Sequence, residues 1–194
     1  MHMEELNFFW EGWRHIISTD ALDHQLFILV LAAIYTLKEW KQVLILVTAF
    51  TIGHSVTLAL STLNIVKVST DWIEFLIPCT IVITAVANLF HKSLNPRSIR
   101  LNYFLALFFG LIHGLGFANA LRFMLAEGDS ITWPLLQFNL GLEAGQIVFV
   151  VAILLLAYLF VFIINLNRRY WVTLLSAAGF IVALKIAIDR FPLS

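Results

Sequence analysis

Six apolar runs, each about the length of a bilayer crossing, leave this chain little choice of backbone. Inside lipid no water reaches an unpaired N–H or C=O, so a spanning segment must bond its own backbone. About 20 consecutive apolar residues make one helical crossing. The runs fall at 22–37, 41–63, 71–90, 101–125, 133–164 and 170–188. Only 12% of the residues are charged and 61% are hydrophobic, with a mean hydropathy of +0.91. A soluble domain carries roughly twice that charge. The expected fold is therefore an all-α membrane protein. Six transmembrane helices pack as one bundle, with an N-terminal interfacial or re-entrant helix. Two parts follow: residues 1–21 as an N-terminal interfacial segment and 22–190 as the transmembrane domain. Little of the 194 residues is left for a soluble appendage.

Aromatic and basic residues locate the ends of the spans. Trp10 and Trp13 precede the first run, Trp40 follows it, and Trp72, Trp133 and Trp171 open the third, fifth and sixth. Amphipathic rings gather at the membrane–water interface, so these positions support the boundaries independently of hydropathy. Lys38, Lys41, Lys92, Arg97, Arg100, Arg168 and Arg169 fall on one side, and Arg14, Lys67, Arg122, Lys185 and Arg190 on the other. The richer side is expected in the cytoplasm, with both termini outside it. The fifth run exceeds one straight crossing and should tilt or project. Between Leu6 and Ala21, Phe8, Phe9, Trp10, Trp13, Ile16 and Ile17 alternate with Glu11, Arg14, His15 and Asp20, a pattern for an interfacial or folded-in segment. Met1 to Arg14 is acidic and aromatic and does not read as a cleavable signal peptide. Net charge is zero without a basic stripe, so nucleic acid is excluded as a partner. Cys79, the single cysteine, reads as a small buried apolar residue.

Ionisable groups inside such runs carry the functional information. Placing one at membrane depth costs on the order of 2.5–3.5 kcal/mol by insertion scales, so a retained one faces a partner, an ion or a water cavity. His54, His113 and Glu143 lie deep in three different runs, and Asp23 and His24 open the first. At 1.5 Å per residue, His54 stands about 20 Å from the start of its run, and His113 and Glu143 lie near the middle of theirs. All can converge in the outer half. Asn139, Glu143 and Gln146 share one helical face, as do Thr48, Thr51, His54 and Ser55. Gly110 and Gly114, and likewise Gly141 and Gly145, are small-xxx-small pairs that let a second helix come close. Spans two and four share a faint pattern, Phe50-x3-His54-x4-Ala59 against Phe109-x3-His113-x4-Ala118.

Imidazole with carboxylate and no thiolate suits nickel, cobalt, zinc or iron. The candidate metal ligands are His15, Asp23, His24, His54, His113 and Glu143, with Thr51, Ser55, Asn139 and Gln146 as orienting or path residues. The ordinary alternatives are structural: a hydrogen-bonded His54, an interfacial His15, Asp23 as a helix cap, Asn139 and Gln146 as interhelical bonds. Two functions compete. One is a divalent metal-ion permease, whose partners are the bilayer, the metal as substrate and, as an option, further copies of the chain. The other is a membrane-embedded zinc hydrolase with Glu143 as general base. A bis-histidine haem carrier on His54 and His113 is a third. No catalytic residue is assigned for the first reading, and the chain is expected to be a transporter and not an enzyme.

At these residues the sequence resembles the HupE/UreJ family. The carriers are Gly12-Trp13-Arg14-His15-Ile16, Asp23-His24-Gln25-Leu26-Phe27, Thr48 to Leu58, Phe109 to Ala118 and Phe138 to Gln146. The resemblance implies nickel or cobalt uptake, with zinc or iron as further divalent candidates, in a bacterial inner membrane. The family pattern His-x5-Asp-His maps onto His15, Asp23 and His24, with seven intervening residues here. Its signature Phe-His-Gly-x-[Ala/Val]-His-Gly-x-Glu maps onto Phe108 to Gly116. There only His113 matches the two histidines, Phe109 stands at the first, and Gly116 replaces the terminal Glu. Glu143 is the expected substitute carboxylate.

Overall fold

The computed structural model describes residues 7–90, 99–124 and 130–192, which contain helices and no strand. His91, Lys92 and Arg97 lie outside the described residues. The helices are α1 (Phe8–Ile17), α2 (Leu22–Ala32), α3 (Trp40–Thr62), α4 (Thr70–Phe90), α5 (Ile99–Gly116), α6 (Ala118–Met124), α7 (Thr132–Ala157) and α8 (Arg168–Asp189). Four stretches are long and apolar enough to cross a membrane: Leu37–Thr62, Thr70–Phe90, Thr132–Ile163 and Arg168–Asp189. Leu22–Ala32 and Asn102–Gly116 are shorter apolar helices. The protein is thus an integral membrane protein with large apolar residues such as Ile45, Ile52, Val56, Val151 and Leu155 turned outward. Such side chains are at home against lipid.

The ends explain where the helices differ from the apolar runs. The first run was expected to reach residue 37, but α2 stops at Ala32. Thr36 then starts a new turn, with its N–H and hydroxyl both donating to Glu39 Oε2, at 2.8 and 2.9 Å. Arg168 Nη2 donates to the Ile34 carbonyl at 2.6 Å and anchors that turn to α8. The fourth run breaks at Phe117 into α5 and α6. The long fifth run ends in a π-helical turn, Tyr158–Ile163, before Asn165 turns the chain with φ 60°. Of the interfacial tryptophans, Trp10, Trp40, Trp72 and Trp133 are exposed, whereas Trp171 is buried and stacks on Phe160 with centroids 5.6 Å apart.

Glycine sets how the helices meet. A Cβ on Gly53 would run into the backbone of Leu107, and one on Gly110 into that of Phe50. One on Gly114 would meet the carbonyl of His54. Helices α3 and α5 are therefore in backbone contact along their length. Gly12 meets Phe138 and Leu142, and Gly141 meets Phe9 and Trp13, so α1 is pressed the same way onto α7. Such contact replaces the hydrophobic drive that is missing between helices in lipid. Expected outcome: Gly110→Val, which must push α3 away, lowers the melting temperature in detergent by about 5 °C or more. Gly116→Ala, whose new Cβ meets only side-chain carbons of Ile77 and Ile73, at 3.1 and 3.7 Å, changes it by about 2 °C or less.

Candidate metal centre

The close contact of α3 and α5 brings His54 and His113 toward each other, and the α1–α2 turn supplies the rest. Gln25 Nε2 donates to the carbonyls of Ile16 and Ser18, at 2.9 and 2.8 Å. The Ile16 carbonyl is among the last of α1, and the Ser18 carbonyl also accepts from the Ala21 N–H at 3.1 Å. The clamp folds α1 back on α2 and sets His15 against His24, with ring centroids 4.7 Å apart. His24 in turn lies 5.9 Å from His54 and 5.0 Å from His113.

One ring nitrogen from each of His15, His24 and His54 lies within 4.8 Å of the other two. A tetrahedral ion bound at about 2.1 Å holds its ligands about 3.4 Å apart, so small ring rotations close the set. His15 Nε2, His24 Nε2 and His113 Nδ1 are buried and have no hydrogen-bond partner, and His54, also buried, has the Asn139 side chain as a polar neighbour. Leaving a buried polar atom unpaired costs about 1–3 kcal/mol. Three imidazoles whose ring nitrogens converge, with His113 packed against His24 at 5.0 Å, are what a borderline divalent metal recognises.

His113 shows how one ring is oriented. Its Nε2 lies 3.1 Å from Thr80 Oγ1 on α4. The Thr80 hydroxyl donates its only proton to the Ile77 carbonyl at 2.7 Å. It can then only accept from His113, which makes Nε2–H the donor and leaves the lone pair on Nδ1. This is the outer partner that a metal-binding imidazole requires. Beside His54, Asn139 Nδ2 donates to the Leu135 carbonyl at 2.8 Å, which leaves Oδ1 as the acceptor for the His54 ring.

Aromatic rings enclose the imidazoles. Phe117 packs on His15 at 4.2 Å and stacks on Phe138 at 4.7 Å. Phe27 and Phe50 stack at 4.9 Å and both lie against His113. A pocket of about 200 Å³ leads out, lined by His15, His24, His113, Asp23, Glu74 and Arg190 among others. Gly116, at the position where the family signature carries Glu, also lines it.

The remaining sequence candidates are placed as follows. Asp23 is in the first turn of α2, where Ala21 holds the cap position, and it pairs with Arg190 at 2.8 Å. Glu143 accepts from Thr48 at 2.6 Å between α7 and α3, where Thr48 is exposed and Glu143 half-buried. Among the described residues the group of converging ligand atoms is His15, His24 and His54, without Glu143. Thr51 bonds Gln146 at 2.8 Å, also joining α3 to α7. Ser55 turns back to the Thr51 carbonyl at 2.7 Å. Thr80, Gln25, Phe117 and Arg190 were not among the sequence candidates. Phe117 and Gln25 lie inside the quoted motifs, whereas nothing in spacing marks Thr80 or Arg190.

The chain belongs to the HupE/UreJ family, whose model, described as HupE / UreJ protein, matches residues 1–189. The family points to a nickel/cobalt transporter-type membrane protein. Neither the curated proteins nor the solved structures contain a match. Expected outcome: Thr80→Val, by releasing the His113 ring, weakens nickel or cobalt binding by about 10- to 100-fold. Thr80→Ser keeps the wild-type affinity, both read by isothermal titration of the purified protein.

Proposed function

We propose that this chain is a divalent metal-ion permease, nickel or cobalt first, with zinc and iron as further candidates. The observation that carries the reading is the convergence of one ring nitrogen each from His15, His24 and His54, on α1, α2 and α3, with His113 of α5 packed against His24. His15, His24, His54 and His113 are the ligands, and Asp23 is the carboxylate at the mouth. Neutral nitrogen ligands hold a divalent ion without cancelling its charge. A site of that kind binds firmly enough to strip water yet still releases, as a transport site must.

In this reading α2 and α5 join the four long helices as a six-helix bundle, and the pocket opens outside the cytoplasm. The membrane is a bacterial inner membrane with both termini outside. Thr51 and Gln146 tie α3, which carries His54, to α7. Glu143, bonded to Thr48, serves the α3–α7 seam and not the metal. The hydrolase reading loses support from the same contact, because its general base is not among the clustered ligand atoms.

Expected outcome: in proteoliposomes loaded with a metal-sensitive dye, His24→Ala and His54→Ala abolish nickel and cobalt uptake while the proteins remain folded by circular dichroism. Glu143→Gln retains uptake within about threefold, as expected for a group that makes one hydrogen bond away from the ion. Wild-type-like uptake by both histidine variants would remove the site.

A further inference from the structure

The mouth of the pocket already holds a cation. Arg190 follows α8, and its Nη1 lies 2.8 Å from Asp23 Oδ2. Both residues line the pocket together with His15, His24 and His113. Asp23 is the residue before His24. Its other oxygen, Oδ1, is buried without a partner, as is His24 Nε2. The side chains of Arg190 and Asp23 are 37% and 16% exposed, a setting in which an ion pair adds little to stability. Helix α8 is already docked on α2 by Gly179 against Val30. The pair is therefore poorly explained as a staple.

Its position suggests another use. A divalent ion on neutral imidazoles brings two positive charges into a pocket that already contains a guanidinium. Like charges repel, and two charges on the ion double the effect of one. The repulsion ends if Arg190 leaves, and the carboxylate it leaves behind offsets the charge of the ion. Glu74, exposed and lining the same pocket, is a second acceptor for the displaced guanidinium.

We propose that Arg190 is a tethered counter-cation of the metal site, holding Asp23 in the empty protein and yielding it to an incoming divalent ion. The inference rests on the metal site proposed above. It assigns Arg190 a role in affinity and selectivity. A monovalent ion does not outcompete a hydrogen-bonded guanidinium for one carboxylate, whereas a divalent ion backed by imidazoles does. The imidazoles alone would bind more tightly than the whole protein, and Arg190 keeps the ion releasable.

The test is nickel(II) chloride titrated into the full chain in detergent. Arg190→Gln binds nickel about fivefold or more tighter than wild type, the usual lower range for coupling between two ligands. Arg190→Met gives the same gain and serves as the second variant, and Arg190→Lys stays near wild type. Asp23→Asn moves the other way and weakens binding. A pin that only holds α8 to α2 predicts shifts of the same sign from Arg190→Gln and Asp23→Asn. That result, or unchanged affinity in Arg190→Gln and Arg190→Met, overturns the proposal. Saturable binding that His24→Ala removes, with no gain in either arginine variant, sinks the counter-cation alone. No nickel binding by wild type sinks the metal site and the counter-cation together.

Discussion

Imidazole nitrogens without partners, buried in an apolar bundle, are the constraint that the rest of the structure serves. Each unpaired buried polar atom costs about 1–3 kcal/mol, against a net stability of about 5–15 kcal/mol for a typical domain. Nitrogens of four rings are left in this state: His15, His24, His54 and His113. A fold does not gather such atoms by packing preference. In the proposed reading a divalent ion, which accepts several imidazoles at once, satisfies them. Phe27, Phe50, Phe117 and Phe138 pack around these rings, Phe117 along the pocket wall.

The scaffolding follows from that need. Rings on different helices stay within reach only if the helices cannot slide, and glycine provides the means. Gly53, Gly110 and Gly114 put the backbones of α3 and α5 in contact and so fix His54 relative to His113. Gly12 and Gly141 do the same for α1 and α7, which brings in His15. Gln25 holds the turn between α1 and α2, and Thr80 fixes one tautomer. The break at Phe117 between α5 and α6 puts an aromatic ring on His15. A continuous helix through that point would have carried the ring elsewhere.

Much of this was legible in the sequence, and the reasons differ by feature. Helices α3, α4, α7 and α8 lie within a few residues of their apolar runs, because hydropathy reports burial in lipid directly. The glycine pairs were visible as small-xxx-small spacing, and three of the four imidazoles lay in apolar runs or at their start. Hydropathy did not show that α2 stops at Ala32 or that α5 breaks at Phe117, since both interruptions occur inside apolar sequence. The Glu39 capping of Thr36 is a local signal that was present but overshadowed by the run. Glu143 shares a face with Asn139 and Gln146, yet a face says nothing about which neighbour the carboxylate meets, and Thr48 is that neighbour. Arg190 and Thr80 touch the pocket and His113 only through tertiary structure. No spacing along the chain encodes such pairs.

The central claim is that these histidines coordinate one divalent ion. X-ray absorption at the nickel edge of the loaded, purified protein tests it most directly, because imidazole rings give a distinctive outer-shell scattering pattern. The account predicts one nickel per chain with at least three imidazole nitrogens at about 2.0–2.1 Å. A shell of oxygen alone, or a spectrum that His24→Ala and His54→Ala leave unchanged, would contradict it.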